Sequence, residues 1–158
     1  MNKPELLQQI IARLTHDLEL FLSAAKTAHR AATHEESVPD NKYDTLALEA
    51  SYVAQGQANR AQDIKRSLDL YKQLPLASDA KVIRLTSMVT IEDDDGNRRE
   101  LFIGPAEGGL KIRGSRTEIT VITPVSPLGR ELLGKSRGDT VEIEAGPNVI
   151  GYEIVAVG

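Results

Sequence analysis

Residues 125–157 read VSPLGRELLGKSRGDTVEIEAGPNVIGYEIVAV and combine the pattern of a short helix with that of two strands. Ser126 suits the N-cap of the helix, Pro127 its first helical position and Gly134 its end. The stretches GDTVEIEA and VIGYEIVAV then predict two strands, and the Gly-Pro-Asn sequence at 146–148 predicts the turn between them. We therefore expect a helix and then a β-hairpin at this end of the chain.

Strand patterns continue towards the N-terminus. The segment KVIRLTSMVTIED (81–93) is rich in β-branched residues and runs into DDDGN, which is a turn sequence. RRELFIG (98–104) predicts the returning strand, and TEITVIT (117–123) predicts a third strand. This half of the chain therefore predicts a small α+β domain with an antiparallel sheet and one short helix.

Glycine and proline divide the chain into two parts. The first 74 residues hold one Gly and two Pro, whereas the residues from Pro75 onward hold eleven Gly and five Pro. Such a change in composition indicates a domain boundary. We expect a helical domain at 1–74, a linker at 75–79 and a β-rich domain at 80–158.

The helical part repeats apolar residues at alternating spacings of four and three, which is a heptad pattern. One such seam runs from Leu7 to Ala32 and a second from Tyr43 to Tyr71, with Pro39 between them. Because Pro39 would interrupt a continuous helix, the pattern predicts two antiparallel helices joined at a tip near 35–44. Large side chains lie at the base and alanines near the tip. A dimerising coiled coil is the alternative that this pattern leaves open.

Composition limits the classes of function. Aromatic residues make up 4% of the chain and Cys is absent, which disfavours an aromatic-lined pocket and excludes disulfides and thiolate metal sites. The net charge of -4 predicts little affinity for free DNA, because phosphate contacts need basic residues. The sequence shows neither a membrane-spanning run nor a signal-peptide core, so we expect a cytoplasmic protein without membrane contact. Its oligomeric state stays open, and a monomer is favoured.

The stretch at 125–157 resembles the C-terminal signature of the GreA/GreB transcript-cleavage factor family. That signature is a Ser-Pro, a short helix ending in Leu-Leu-Gly-Lys, then Gly-Asp, Val-Glu and a final Tyr-Glu-Ile strand. The resemblance implies a C-terminal domain of FKBP-like fold that binds RNA polymerase, preceded by a coiled-coil hairpin. The matching positions, which we take as candidate polymerase contacts, include Ser126, Pro127, Leu132, Leu133, Gly134, Gly138 and Asp139.

The resemblance also implies a mode of action. Factors of this family bind near the rim of the polymerase's secondary channel, and their hairpin enters that channel. Acidic residues at the tip help to hold a second Mg²⁺ in the polymerase active site, which promotes cleavage of backtracked nascent RNA. The active site belongs to the polymerase. The chain is therefore expected to be an accessory factor that shares this Mg²⁺, with no cofactor of its own, and not an enzyme.

The tip departs from the family's usual motif, Asp-Leu-x-Glu-Asn followed by a nearby Tyr. Here SVPDN occupies 37–41, so Ser37 stands where the first acid belongs. The candidate acids are Asp40, Asp44 and Glu36, with Asp40 as the first candidate for Mg²⁺, and the candidate tip contacts are Asn41 and Tyr43. Instead of binding Mg²⁺, Asp40 could form a capping box with Ser37 at the start of the second helix. Tyr43 also fits a seam position opposite Ala32.

The sequence is also compatible with other functions. Lys26 and Arg30 are candidate contacts to RNA on the first helix, although a solvated helix face is the favoured explanation for them. The altered tip allows a cleavage-inactive homologue that occupies the channel and modulates the polymerase. An FKBP-like prolyl isomerase or chaperone is a more distant alternative, because the second half has only Phe102 and Tyr152 as aromatic residues. The last alternative is a protein that only binds partners through its coiled coil.

Overall fold

The computed structural model describes residues 1–36, 41–78 and 81–158; the side chains at 32–36, 41–48 and 50 lie outside this description. The chain forms two compact units. One consists of Ile11–Lys72, and the other joins Met1–Ile10 to Gln73–Gly158. The domain boundaries drawn from the sequence stay a prediction.

Two long helices occupy the first half of the chain, α1 at Lys3–Glu36 and α2 at Asn41–Lys72. The start of α1 is set by its cap. Asn2 Oδ1 accepts a hydrogen bond from the Glu5 N–H at 2.9 Å, and the Glu5 carboxylate accepts one from the Asn2 N–H at 3.4 Å. This reciprocal pair satisfies N–H groups that have no partner inside the helix. No helix in the described ranges is both long and apolar enough to cross a membrane.

The helical unit has the predicted seam. Its buried or half-buried positions recur at heptad spacing, and within Ile11–Lys72 they include Leu14, Leu18, Phe21, Ala25 and Ala28 on α1, and Ala54, Gln57, Ala61, Ile64 and Leu68 on α2. Four residues of chain separate two helices that belong to one unit, so they form a helical hairpin.

At the beginning of α1 the predicted seam is wrong by one residue. Leu6 and Ile10 are completely buried, whereas Leu7 and Ile11 are only half-buried. The physical reason is that Met1–Ile10 belong to the compact unit of the sheet, so heptad pairing alone does not decide which side chains are covered there.

The second half forms a six-stranded sheet in the order β3-β4-β2-β1-β6-β5, with one short helix. Its elements in chain order are β1 Met88–Asp93, β2 Arg98–Ile103, β3 Lys111–Arg113, β4 Glu118–Ile122, α3 Pro127–Leu132, β5 Thr140–Ala145 and β6 Asn148–Val157. The predicted α+β fold is confirmed. The three-residue strand β3 was missed, and β1 is shorter than its predicted range because Thr86, with φ at 75°, interrupts the extended backbone.

The prediction of a purely antiparallel sheet is wrong at one pair. β2 and β4 are parallel, with Glu100 opposite Ile119 and Ile103 opposite Ile122. After β2 the chain moves to the sheet edge as β3 and returns as β4 between β3 and β2, which gives β4 the direction of β2. The remaining pairs of strands are antiparallel, as predicted.

The sheet is buried on both faces around its centre. One face forms a core cluster of Ile83, Val89, Ile91, Leu101, Ile103, Ile122, Leu132, Val141 and Ile154. Successive side chains of a strand point to opposite faces, so Phe102 lies on the other side from Leu101 and Ile103. Phe102 is also completely buried, as are its neighbours Ile119 and Val121 on β4. Covering both faces removes apolar area from water, which is the main stabilising contribution.

Candidate partner-binding sites

The Ser-Pro pair of the C-terminal signature begins α3. Ser126 is the N-cap: its Oγ accepts from the Gly129 N–H at 3.1 Å and donates to the Thr123 carbonyl oxygen at 2.8 Å. Pro127 occupies the first turn, where a backbone N–H would have no partner inside the helix, so its absence does not destabilise the helix. The Pro127 side chain is exposed. Ser126 thus positions the helix, and Pro127 is available to a partner at the surface.

Gly129, which the sequence prediction did not single out, allows this helix start to pack closely. A Cβ at this position would lie 1.9 Å from the Thr123 carbonyl oxygen, so no other residue fits without a shift of the backbone. The sequence did contain a sign of this close packing, namely a glycine inside a helix. Glycine is about 1 kcal/mol less favourable than alanine in a helix, so its presence there indicates that a larger side chain would not fit.

The end of α3 is anchored in the core. Leu132 is completely buried in the core cluster and Leu133 packs against it. Gly134 has φ at 81°, which favours glycine, and its N–H donates to the Ile83 carbonyl oxygen at 2.9 Å. Because Leu132 has no exposed surface, a partner at this end of α3 would meet Gly134 and the outer part of Leu133.

Gly138 and Asp139 shape the turn that leads into β5. Gly138 has φ at 93° and its N–H donates to the Ile154 carbonyl oxygen at 2.8 Å. The Asp139 carboxylate accepts from the Ser136 N–H at 2.8 Å, and the Asp139 N–H donates to the Ser136 carbonyl oxygen at 3.0 Å. Both residues are exposed, so they have a role in the fold and also offer surface.

The structure places the signature residues in one region, since α3 packs on β5 and the intervening turn connects the two elements. Each of these residues has a structural role in a cap, a turn or the core. Their contact with a polymerase stays a prediction, and the exposed members Pro127, Gly134, Gly138 and Asp139 are the positions at which to test it.

The predicted tip residues lie where the two long helices end and begin. Glu36 is the last residue of α1 and Asn41 the first of α2. Asp40 and the side chains of Glu36, Asn41, Tyr43 and Asp44 lie outside the described residues. Their proposed roles, and the capping alternative for Asp40, therefore stay predictions.

Lys26 and Arg30 are exposed on α1. They are four residues apart and so lie on the same face of the helix, together with the exposed His29. Their contact with RNA stays a prediction. Within the described ranges no group of three or more His, Asp or Glu side chains is arranged to hold a metal ion.

The aromatic residues of the second half serve the core. Phe102 is completely buried, and Tyr152 packs against the core cluster. Tyr152 is therefore the one aromatic side chain in 81–158 that a bound peptide could reach. This arrangement disfavours the prolyl isomerase alternative, which needs an aromatic-lined pocket.

Similar proteins are transcription elongation factors. GreA of Mesorhizobium japonicum is 28% identical over 127 residues, which cover 80% of this chain and 76% of the relative. GreA of Cereibacter sphaeroides is 26% identical over 143 residues, covering 86% and 90% of the two chains. The crystal structure of GreA factor homolog 1 of Thermus thermophilus is 24% identical, covers 94% of each chain and superposes with a TM-score of 0.39.

The family model described as "Transcription elongation factor, GreA/GreB, C-term" matches residues 78–158. The matched range contains the whole sheet, α3 and every residue of the signature described above. Because this match covers just over half of the chain, the protein belongs to the GreA/GreB family of transcription elongation factors.

Proposed function

We propose that this elongation factor binds RNA polymerase through its C-terminal domain and stimulates cleavage of backtracked nascent RNA through the tip of its hairpin. The observation that carries the proposal is the family match over residues 78–158. In this proposal the polymerase supplies the active site, and the chain acts as an accessory factor.

The dimensions of the hairpin support this mode of action. α1 has 34 residues and α2 has 32. At a rise of 1.5 Å per residue each helix is roughly 50 Å long, which is enough to reach from a binding site on a surface into a deep channel. The small seam residues Ala25, Ala28 and Ala54 allow the two helices to approach closely, which keeps the hairpin slender.

The acids near the tip provide suitable chemistry. Carboxylate oxygens are the ligands that Mg²⁺ prefers, and Asp40, with Asp44 or Glu36, offers such oxygens within one short segment of the chain. A Mg²⁺ shared with the polymerase would stabilise charge on the attacking and leaving oxygens. The proposed role of the chain is to supply and orient the carboxylates.

A second candidate function is modulation of the polymerase without cleavage. The observation that favours it is Ser37, which stands at the position of the first acid in the family's usual tip motif. A tip with fewer carboxylates would hold a divalent cation less tightly, while the hairpin could still occupy the channel.

RNA cleavage in a stalled, backtracked elongation complex separates the two candidates. We expect wild-type protein to accelerate 3′-end cleavage and Asp40→Ala to reduce the rate on the order of 10- to 100-fold, as for loss of a group that supports a metal site. Glu19→Ala is the matched control, because Glu19 is an exposed acid on α1 far along the helix from its end.

A different result would favour the second candidate. If wild-type protein co-purifies with polymerase and slows elongation but leaves backtracked RNA intact, the protein is a modulator and Asp40 is a helix cap. Ser37→Asp then provides a direct test of the missing acid, since cleavage gained on this substitution would attribute the inactivity to Ser37.

A further inference from the structure

An open groove on the outer part of the sheet collects basic side chains. It has a volume of about 550 Å³ and is formed by β2, β3, β4 and the turn between the last two strands. Its charged lining consists of Arg98, Arg99, Lys111 and Arg116, with Glu100 and Glu118. Basic side chains outnumber acidic ones here although the whole chain has a net charge of -4, so the groove is a local positive region on an acidic protein.

The acidic side chains nearby neutralise only part of this charge. Arg98 is paired with Glu92, at 2.8 Å from its Nε. Glu118 is shared by Lys111 Nζ at 3.8 Å and Arg113 Nε at 3.1 Å. Arg99 and Arg116 are exposed and have no ion-pair partner in the described part of the chain. The Glu118 ion pairs are also exposed, so exchanging them for another anion would cost little.

The register of the strands places these cations together. Lys111 is opposite Thr120, and Thr120 is beside Leu101 on β2. Arg99 precedes Leu101 by two residues and therefore lies on the same face of the sheet as Lys111. β4 separates their strands, so the two cations are two strand spacings apart, or about 10 Å. This width suits a single extended polymer.

We propose that this groove, with Arg99, Lys111 and Arg116 as the cations that make the contacts, binds the phosphate backbone of one nucleic-acid strand. Two of these three cations are arginines, whose planar guanidinium groups match the oxygens of a phosphate. No aromatic side chain lines the groove, so the bases have no surface on which to stack. Binding is therefore independent of base sequence and depends strongly on salt.

An acidic peptide is the other anionic polymer that could enter such a groove. A peptide that docks on a sheet edge gains affinity from backbone hydrogen bonds to the edge strand. The edge strand here, β3, has three residues, and Gly109 and Gly114 flank it closely. β3 offers too few backbone hydrogen bonds for a peptide to add as a further strand. This favours a nucleic-acid strand that is held by its phosphates.

Binding of the full-length protein to labelled, mixed-sequence single strands of RNA and DNA, measured by fluorescence anisotropy at several salt concentrations, tests the proposal. The strands need about 20 nucleotides, more than single-strand sites usually cover. The groove variant combines Arg99→Gln, Lys111→Gln and Arg116→Gln. The control removes the same charge from exposed positions of α2 through Lys65→Gln, Arg66→Gln and Lys72→Gln.

We expect the groove variant to bind RNA and DNA more weakly to the same extent. Its slope of log affinity against log salt should decrease by about 2, because each lost contact to single-stranded phosphate contributes about 0.7. The control should retain the wild-type slope. Both variants should unfold at the wild-type temperature, since all six side chains are exposed.

Three outcomes would overturn the proposal. The wild type could fail to bind either strand at low salt, or the groove variant and the control could lose affinity equally. In the third case, the groove variant would bind an oligoglutamate peptide more weakly than wild type does but would bind RNA and DNA as well as wild type does. That result would identify the groove as a surface for acidic proteins. None of these measurements includes a polymerase, so the result is independent of the cleavage experiment.

Discussion

Gly129 shows at the scale of one residue how tightly the start of α3 is packed. A Cβ at this position would lie 1.9 Å from the Thr123 carbonyl oxygen, and this oxygen belongs to the backbone and cannot rotate away. We expect Gly129→Ala to lower the free energy of unfolding by about 3 kcal/mol, at the upper end of overpacking costs. Gly151→Ala is the control, because nothing lies within 4 Å of its added Cβ. Equal stability of both variants in urea would contradict this account.

Asp93 is a residue whose ionised form stabilises the turn between β1 and β2. Its carboxylate accepts from the Asn97 N–H at 2.9 Å, the Asp95 N–H at 3.0 Å and Asn97 Nδ2 at 3.3 Å. These bonds, above all that from the Asn97 backbone, lower the pKa of Asp93 below its ordinary value of 3.8. The stabilisation is therefore present above pH 3.8 and is lost as the pH falls through the lowered pKa of the folded state.

The corresponding variant is Asp93→Ala. We expect it to be less stable than wild type at neutral pH, and we expect the difference to disappear well below pH 3.8, where both proteins lack the carboxylate charge. Asp94→Ala, at the exposed neighbouring position, should behave as wild type. A stability difference that stays constant across this pH range would show that ionisation of Asp93 plays no part.

At the scale of elements, Thr86 connects the segment after α2 to the sheet. It is 1% exposed, and its φ of 75° is strained for a β-branched residue. Its N–H donates to the Ile103 carbonyl oxygen at 2.8 Å, and its Oγ1 accepts from the Ala77 N–H at 2.9 Å. The Ala77 carbonyl oxygen accepts from Lys3 Nζ at 2.6 Å. Strain of about 1–3 kcal/mol is thus offset by bonds that hold this segment in place.

Removal of the Thr86 hydroxyl tests this connection. Thr86→Val keeps the shape of the side chain but leaves the half-buried Ala77 N–H without its acceptor, which should cost about 1–3 kcal/mol of stability. Hydrogen exchange of the Ala77 amide should become faster. Thr90→Val, a half-buried threonine in β1, is the control. An Ala77 amide that stays fully protected in Thr86→Val would disprove the role of the hydroxyl.

At the scale of the whole molecule, residues from the two ends of the sequence form one unit. Met1–Ile10 group with Gln73–Gly158, and Leu6 is completely buried. We expect Leu6→Ala to lower stability by about 2–5 kcal/mol and to speed hydrogen exchange in the sheet. Leu70→Ala, at a position that is 50% exposed, should have little effect. Sheet amides that exchange at the wild-type rate in Leu6→Ala would contradict this grouping.

Local patterns in the sequence determined the elements that depend on neighbouring residues. Ser126, Pro127 and Gly134 marked the start and end of α3, because caps and left-handed turns are set within a few positions. The heptad spacing predicted the seam through Leu14 and Ile64, since a helix places such residues on one face. The same signature in 125–157 predicted the family, which the match over 78–158 confirmed.

Only the tertiary structure decided features that depend on residues far apart in the chain. β3 is too short for a pattern, and its strand exists because β4 pairs with it. The parallel pair of β2 and β4 follows from the position at which the chain re-enters the sheet. The groove is lined by Arg99, Lys111 and Arg116 together only because β2, β3 and β4 lie side by side in the sheet. Leu6 is buried instead of Leu7 because the start of the chain belongs to the unit of the sheet. Such contacts arise from packing between distant segments, which no local pattern encodes.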